Sequence, residues 1–199
     1  MDENIDFETY LFISSKKLII SVNTSLGEKV YHKEFYFNED NKEINFDKLD
    51  FFLSENIFII EKKLKNFINK ALLILDSKDF FPIEISVKKK NYEKLISIQN
   101  LNYLLNEAKD YCKKTMDDKK IVHMIINNYK VDEKSFLFLP EGKRCNNFSI
   151  DIKFLCISND FLKNFENILK KYQISLSQVV CADYIRNFLS KGEDDLFLM

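Results

Sequence analysis

The sequence is poor in the residues that build phosphate-binding loops and sharp turns. It has three glycines and two prolines in 199 residues, and it has no tryptophan. A glycine-rich loop needs several residues without a Cβ close together, so that the backbone can approach a phosphate group. Because Gly27, Gly142 and Gly192 are far apart in the sequence, we predict that the chain contains no such loop.

The chain also lacks a strong charge of either sign and a long hydrophobic run. Its 30 basic and 31 acidic residues leave a net charge of -1. Without a positive field, binding to nucleic acid or to an acidic membrane surface is not favoured. The longest apolar run is far shorter than the roughly 20 residues of a membrane-spanning helix. We therefore expect no nucleic-acid partner, and membrane contact only indirectly, through a partner protein.

Few residues could support thiol or metal chemistry. The four cysteines include no Cys-x-x-Cys pair, and no cysteine or acid has metal-ligand spacing to His123. The first eight residues are acidic and have no apolar core, so we expect no secretory leader. We predict a cytoplasmic protein with no metal site, no cofactor and no catalytic residue. Cys156 and Cys181 are then small buried hydrophobic residues.

The hydrophobic pattern of the first 78 residues predicts a sheet followed by a helix. Short runs rich in β-forming residues at Tyr10–Ser14, Leu18–Asn23 and Val30–Phe37 indicate a three-stranded meander. After a polar connector at Asn38–Lys48, apolar residues recur three or four positions apart, as on one face of a helix. We expect this helix to end at Asp76–Lys78. Its apolar residues are Ile57, Ile60, Leu64, Ile68, Ala71 and Leu75.

Residues 83–173 carry the clearest pattern in the chain. Apolar and polar residues alternate at Ile83–Val87 and, more strictly, at Phe148–Cys156, which is typical of strands with one buried face. A helix with Asn100 as its cap and a second helix after Ser158 are also indicated. We predict a compact α+β unit ordered strand, helix, strand, strand, helix. A return strand at Gln178–Ala182 and a short helix follow.

This order of elements resembles the first half of the FtsA family of bacterial cell-division proteins, which belong to the actin superfamily. The resemblance is carried by the strand and Val-Asp of Ile121–Asp132, the turn Leu139–Gly142, the strand Phe148–Ile157 and the elements of Ser158–Leu189. It implies an α/β (α+β) fold: residues 1–82 and 174–199 are half of an actin-like (RNase H-like) subdomain, and residues 83–173 are an inserted interaction subdomain.

The sequence departs from this family at the ATP site. Actin-like ATPases place an Asp-x-Gly turn after their first strand, where the carboxylate lies near the metal and the glycine beside the phosphates. In this chain Phe12 occupies the position of the Asp and Ser14 occupies the position of the Gly, and Ser15 follows. The second phosphate turn would fall just beyond residue 195, near the end of the sequence. We expect a degenerate turn at Phe12, Ser14 and Ser15, and no bound ATP.

The resemblance implies a non-catalytic protein-interaction module of bacterial cell division, located at the division site on the inner face of the membrane. Its partners would be other cell-division proteins, with a tubulin-like filament protein or a second copy of the chain as candidates. We expect Phe136, Phe138, Lys143 and Arg144 to contact the partner. The four consecutive apolar residues at Phe136–Leu139 cannot all be buried by a strand with one wet face. A strand buried on both faces is the alternative.

Two functions of other classes stay open. Lys88–Lys90, with Tyr92 and Lys94, form a basic patch with an aromatic residue that could bind single-stranded RNA by charge and stacking. We favour a solvated loop there, because the surrounding residues are not basic overall. The other alternative is a small hydrolase, which requires a pocket where His123 and cysteine side chains converge.

Overall fold

The computed structural model of the protein describes residues 6–37 and 43–187. These residues divide into two compact units. The first is formed by the described residues up to Lys78 and from Asp160 onward, and the second is Asp79–Asn159. The elements in chain order are β1 (Phe7–Ser14), β2 (Lys17–Thr24), β3 (Lys29–Tyr36), α1 (Phe46–Leu64), β4 (Lys70–Asp76), β5 (Phe81–Leu95), α2 (Ile98–Thr115), β6 (Lys119–Val131), β7 (Lys134–Phe136), β8 (Arg144–Ser158), α3 (Asn159–Lys171) and β9 (Ser175–Cys181).

The first unit is built on a five-stranded sheet with the order β3-β2-β1-β4-β9. The first three strands form an antiparallel meander, as the sequence predicts. Strands β4 and β9 are both parallel to β1. Residues 182–187, which follow β9, are helical. The carboxyl ends of β1, β4 and β9 therefore lie at one edge of this sheet.

The predicted long helix ending at Asp76–Lys78 is wrong. Helix α1 begins after its cap Asn45, whose side chain accepts a hydrogen bond from the Lys48 amide, and it ends at Lys65, which has a left-handed φ of 53°. The expected polar connector thus contains the first helical turn. Residues Lys70–Asp76 form β4 instead. No helix in the described parts of the chain is long and apolar enough to cross a membrane.

Helix α3 belongs to the first unit, which corrects the predicted boundaries of 83 and 173. The ring of Phe46 in α1 lies 5.0 Å from the ring of Phe165 in α3, centroid to centroid. At the other end of α3, the Tyr172 hydroxyl donates to an Asp50 carboxylate oxygen at 2.9 Å, and Lys171 forms an ion pair with the same carboxylate. These contacts join α3 to α1. The inserted unit is therefore shorter and consists of strand, helix and three strands.

The second unit has a four-stranded antiparallel sheet with the order β5-β8-β6-β7. Helix α2 packs on β5 and β8. The alternation predicted for Phe148–Cys156 is confirmed, because every second side chain in this part of β8 is buried. The fully buried side chains of this strand include those of Phe148 and Phe154. The core of the unit thus lies between β8 and α2.

The first strand and helix of the second unit differ from their predicted limits. The strand at Ile83–Val87 and the short run at Leu95–Ile98 belong to one continuous strand, β5, and to the start of α2. The register of β5 shifts between Lys90 and Lys94, at a bulge where Tyr92 and Glu93 have φ of 50° and 57°. Ser97, not Asn100, caps α2. Asn100 closes the capping box by accepting from the Ser97 amide at 3.0 Å.

Candidate functional site

The turn after β1 is closed by the side chain of Ser14. Its hydroxyl oxygen accepts hydrogen bonds from the amides of Lys16 and Lys17 at 3.2 and 2.9 Å, and the hydroxyl donates to the Lys17 carbonyl at 3.1 Å. Ser14 is buried. In a phosphate-binding turn such amides point at the ligand. These amides are therefore bound within the turn, and the expected loss of ATP binding at Phe12, Ser14 and Ser15 stays a prediction.

The neighbouring carboxylate at this edge of the sheet is also engaged. Asp76, at the end of β4, pairs in register with Ser14. Its two carboxylate oxygens accept from the guanidinium of Arg186 at 3.0 and 3.1 Å. These hydrogen bonds and the carboxylate of Asp183 raise the pKa of Arg186 above its usual value. The carboxyl ends of parallel strands are a common ligand site, but here the carboxylates of Asp76 and Asp183 are both paired with Arg186.

The described residues do not assemble a metal cage. No group of three or more His, Cys, Asp or Glu side chains in residues 6–37 and 43–187 is placed to hold a metal ion. His123 lies in β6, where burial lowers the pKa of its imidazole. The predicted structural role of His123 and the hydrolase alternative both stay predictions.

All four cysteines lie in the described part of the chain, are buried and form no disulfide. The sulfur atoms of Cys112 in α2 and Cys156 in β8 are 3.9 Å apart. Burial and the neighbouring Cys112 thiol raise the pKa of Cys156 to about 12. A protonated, buried thiol is a poor nucleophile. Cys112 and Cys156 therefore pack as small hydrophobic residues where helix and sheet meet.

At one end of the second unit, far from Phe81 and Ser158, backbone hydrogen bonds join the loop between β7 and β8 to the segment between β5 and α2. The Gly142 amide donates to the Ile96 carbonyl at 2.9 Å, and the Ile96 amide donates to the Lys143 carbonyl at 2.8 Å. The φ of 75° at Gly142 favours a glycine there. These bonds bring the loop between β7 and β8 beside the junction of β5 and α2.

This end of the unit exposes several large apolar side chains. Leu137 and Phe138, in the loop, are 79% and 74% exposed. Tyr92 and Leu95 at the end of β5, and Ile98 at the start of α2, are also exposed. We call these five residues the tip surface. Charged residues of both signs, including Glu93, Lys94 and Glu141, lie close to the tip surface in the sequence.

The structure brings the four predicted contact residues to this same end. Phe138 belongs to the tip surface. Phe136 is half-buried and lies under Lys143, whose ammonium nitrogen is 4.1 Å from the centre of its ring. Arg144 is exposed and pairs with Leu95 across the sheet. Sequence reasoning missed Leu95 and Ile98, and it assigned Tyr92 to the RNA-binding alternative. The capping motif that begins at Ser97 could have identified Ile98 as a candidate, because it places Ile98 in the first turn of a helix, where side chains are seldom fully buried.

The basic patch proposed for RNA binding is divided between the two faces of β5. Successive side chains of a strand point to opposite faces. Lys88 and Lys90 are exposed, whereas the Lys89 ammonium lies 4.1 Å from the centre of the Tyr103 ring on α2. Tyr92 is exposed but lies in the bulge. The three lysines therefore do not form one surface.

Comparison with known proteins gives a likeness of fold without a likeness of sequence. No model of a known protein family matches the chain, and no curated protein is similar to it. The chain is similar to a solved structure titled PilM-PilN type IV pilus biogenesis complex, with a TM-score of 0.52 and 6% identity, over 94% of this chain and 50% of that one. The chain thus spans about half the length of that protein.

A second solved structure, from Bacteroides thetaiotaomicron, is described as a protein with an actin-like ATPase fold and unknown function. It is 13% identical over 96% of this chain and 59% of that one, and its TM-score of 0.36 is too low to support an argument. The predicted membership of the FtsA family stays a prediction. The strand order and the likeness to the pilus structure show the predicted mixed α/β fold class. The finer assignment to part of an actin-like domain stays a prediction.

Proposed function

We propose that the protein is a non-catalytic adaptor of the bacterial cell-division apparatus that binds another protein through its tip surface. The observation that carries this proposal is the exposure of Leu137 and Phe138 on a loop held in place by Ile96 and Gly142. Large apolar side chains on an ordered surface with a polar rim are the usual centre of a protein interface. Burying each of these two side chains in an interface would contribute about 1.5–3 kcal/mol to the free energy of binding.

The assignment to cell division comes from the resemblance to FtsA. On this resemblance we propose a cytoplasmic location at the division site, on the inner face of the membrane, and a tubulin-like filament protein as the first partner to test. The similar pilus structure supports a role in assembly, because it is a PilM-PilN complex. That likeness also favours a second candidate function, in which the partner is a PilN-type protein of pilus biogenesis.

Replacing both Leu137 and Phe138 by glutamate should weaken partner binding about 100-fold, because two central apolar contacts are lost and two charges must be desolvated. The measurement is isothermal titration of the purified protein with a tubulin-like division filament protein and, separately, with a PilN-type protein. The control is Leu26→Glu, which introduces one glutamate at a leucine of the first unit that is 88% exposed. The proposal fails if the wild type binds neither protein, or if the control weakens binding as much as the double variant.

We also expect no binding of Mg-ATP up to about 1 mM, since the amides of the turn are occupied by Ser14 and no carboxylate stands at Phe12. Titration calorimetry of the wild type and of Ser14→Gly tests this. The Ser14→Gly variant frees the amides but restores no metal ligand, so we expect that it does not bind Mg-ATP either. If the wild type bound Mg-ATP with micromolar affinity, that result would contradict the non-catalytic assignment. It would not affect the proposal that the tip surface binds a partner protein.

A further inference from the structure

Helix α1 is apolar on two faces. One face packs into the first unit, where Leu53 and Ile60 are fully buried. The other face carries Phe51, Phe58 and Ile59, whose side chains are 64%, 72% and 52% exposed. At about 100° per residue, these three side chains fall within an arc of about 100° around the helix axis. A helix that is hydrophobic around its circumference is normally buried. We call Phe51, Phe58 and Ile59 the α1 stripe.

Two opposite charges lie on this stripe without a partner. Glu55 and Lys62 are exposed, and neither forms a hydrogen bond or an ion pair with any residue in the described part of the chain. By the helical rotation, both point between the directions of Phe58 and Ile59. They are seven residues apart, about 10.5 Å along the axis, which is too far for them to pair with each other. An apolar contact over the stripe would therefore have to accommodate one acid and one base.

The order of these residues is self-complementary. Phe58 and Ile59 are adjacent, and Glu55 precedes their midpoint by the same distance as Lys62 follows it. When two such helices pack antiparallel about a two-fold axis through that midpoint, the acid of each helix lies level with the base of the other. A parallel pair would set like charges side by side. The chain thus carries the complement of its own stripe.

We propose that α1 packs antiparallel against α1 of a second copy of this chain through the α1 stripe. Phe58 and Ile59 of both copies meet at the centre, and two ion pairs between Glu55 and Lys62 form across the axis. The attraction of these two pairs fixes both the direction and the register of the contact. A different partner would need the same acid, apolar pair and base at the same spacing, and the second copy supplies them.

The extent of the contact determines its expected strength. In this register Phe51 lies level with the end of the opposite α1, which is followed by Phe67, a residue that is 71% exposed. The contact thus extends along most of the 19 residues of the helix, but it involves only one helix from each copy. Such an interface buries less than the roughly 1,200 Å² of stable complexes. We expect a dissociation constant on the order of 100 μM.

Exchanging the two charges tests the contact and its register. Sedimentation equilibrium of the full chain should show a monomer–dimer equilibrium for the wild type. Glu55→Lys and Lys62→Glu each turn two attractive pairs into two repulsive ones, so each dimer should be at least tenfold weaker. The double variant Glu55→Lys/Lys62→Glu restores both pairs and should dimerise like the wild type. An equimolar mixture of the two single variants should also recover dimer, because opposite charges then meet.

The control is Glu166→Lys, which makes the same change of charge at an exposed glutamate of α3 and should dimerise like the wild type. Thermal unfolding far below the dissociation constant should be the same for all variants, since Glu and Lys are both strong helix formers. A wild type that stays monomeric at about 1 mM, ten times the expected constant, overturns the proposal. So does a dimer that the double variant fails to restore, or one that Glu166→Lys weakens as much as Glu55→Lys.

Discussion

Phe154→Ala is expected to lower the free energy of unfolding of the second unit by about 3–5 kcal/mol, the usual cost of removing a buried aromatic ring. Phe154 is fully buried in β8, where it pairs with Ile83 of β5 on one side and Met124 of β6 on the other. Because strands flank it and the core lies over it, the surrounding residues cannot close the cavity without moving the sheet. Urea denaturation followed by circular dichroism measures the loss.

The control for this experiment is the adjacent residue of the same strand. Lys153 points to the opposite face of the sheet and is half-buried. Lys153→Ala should change the free energy of unfolding by less than about 0.5 kcal/mol, as substitutions outside the core usually do. Equal losses for Phe154→Ala and Lys153→Ala would mean that β8 does not present one buried face.

Leu73→Ala is expected to cost the first unit about 2–5 kcal/mol. Leu73 is fully buried in β4, the strand between β1 and β9, and pairs in register with Leu11 and Val179. The measurement is again urea denaturation, with Lys70→Ala as the control because Lys70 is exposed at the start of the same strand. The control should be near neutral.

This substitution also distinguishes the observed strand from the helix that the sequence pattern suggested. A helix with Ile68, Ala71 and Leu75 on its buried stripe would leave Leu73 off that stripe. In β4, Ala71, Leu73 and Leu75 are buried on one face, and Leu72 is half-buried on the other. A small effect of Leu73→Ala together with a large effect of Leu72→Ala would contradict the strand.

The error at β4 has a clear physical cause. Ile68, Ala71 and Leu75 satisfy the helical spacing of three and four, and the run Ala71–Leu75 is apolar on both faces of the strand, so it shows no alternation of apolar and polar residues. The end of α1 was also hidden, because Lys65 adopts a left-handed φ that is usually taken by glycine or asparagine. Where alternation was strict, as at Phe148–Cys156, the sequence predicted both the strand and its buried face.

The boundary between the units could not be read from the sequence, since it depends on what α3 contacts. Phe161, Phe165 and Tyr172 predict an amphipathic helix but not the element it packs on. Phe46 and Asp50 supply that surface, more than 100 residues earlier in the chain. The prediction of the candidate site from the sequence was incomplete for the same reason. Phe138 stood out within its own loop, whereas Leu95 and Ile98 joined it only through hydrogen bonds between distant segments.

The buried cysteines give the protein internal reporters of its own opening. Cys112, Cys145 and Cys156 lie in the second unit and Cys181 in the first, and all are shielded from water in the folded chain. A thiol-specific alkylating reagent can reach them only in molecules that have opened locally. Mass spectrometry of the labelled peptides would then time the exposure of each unit separately, without any added label.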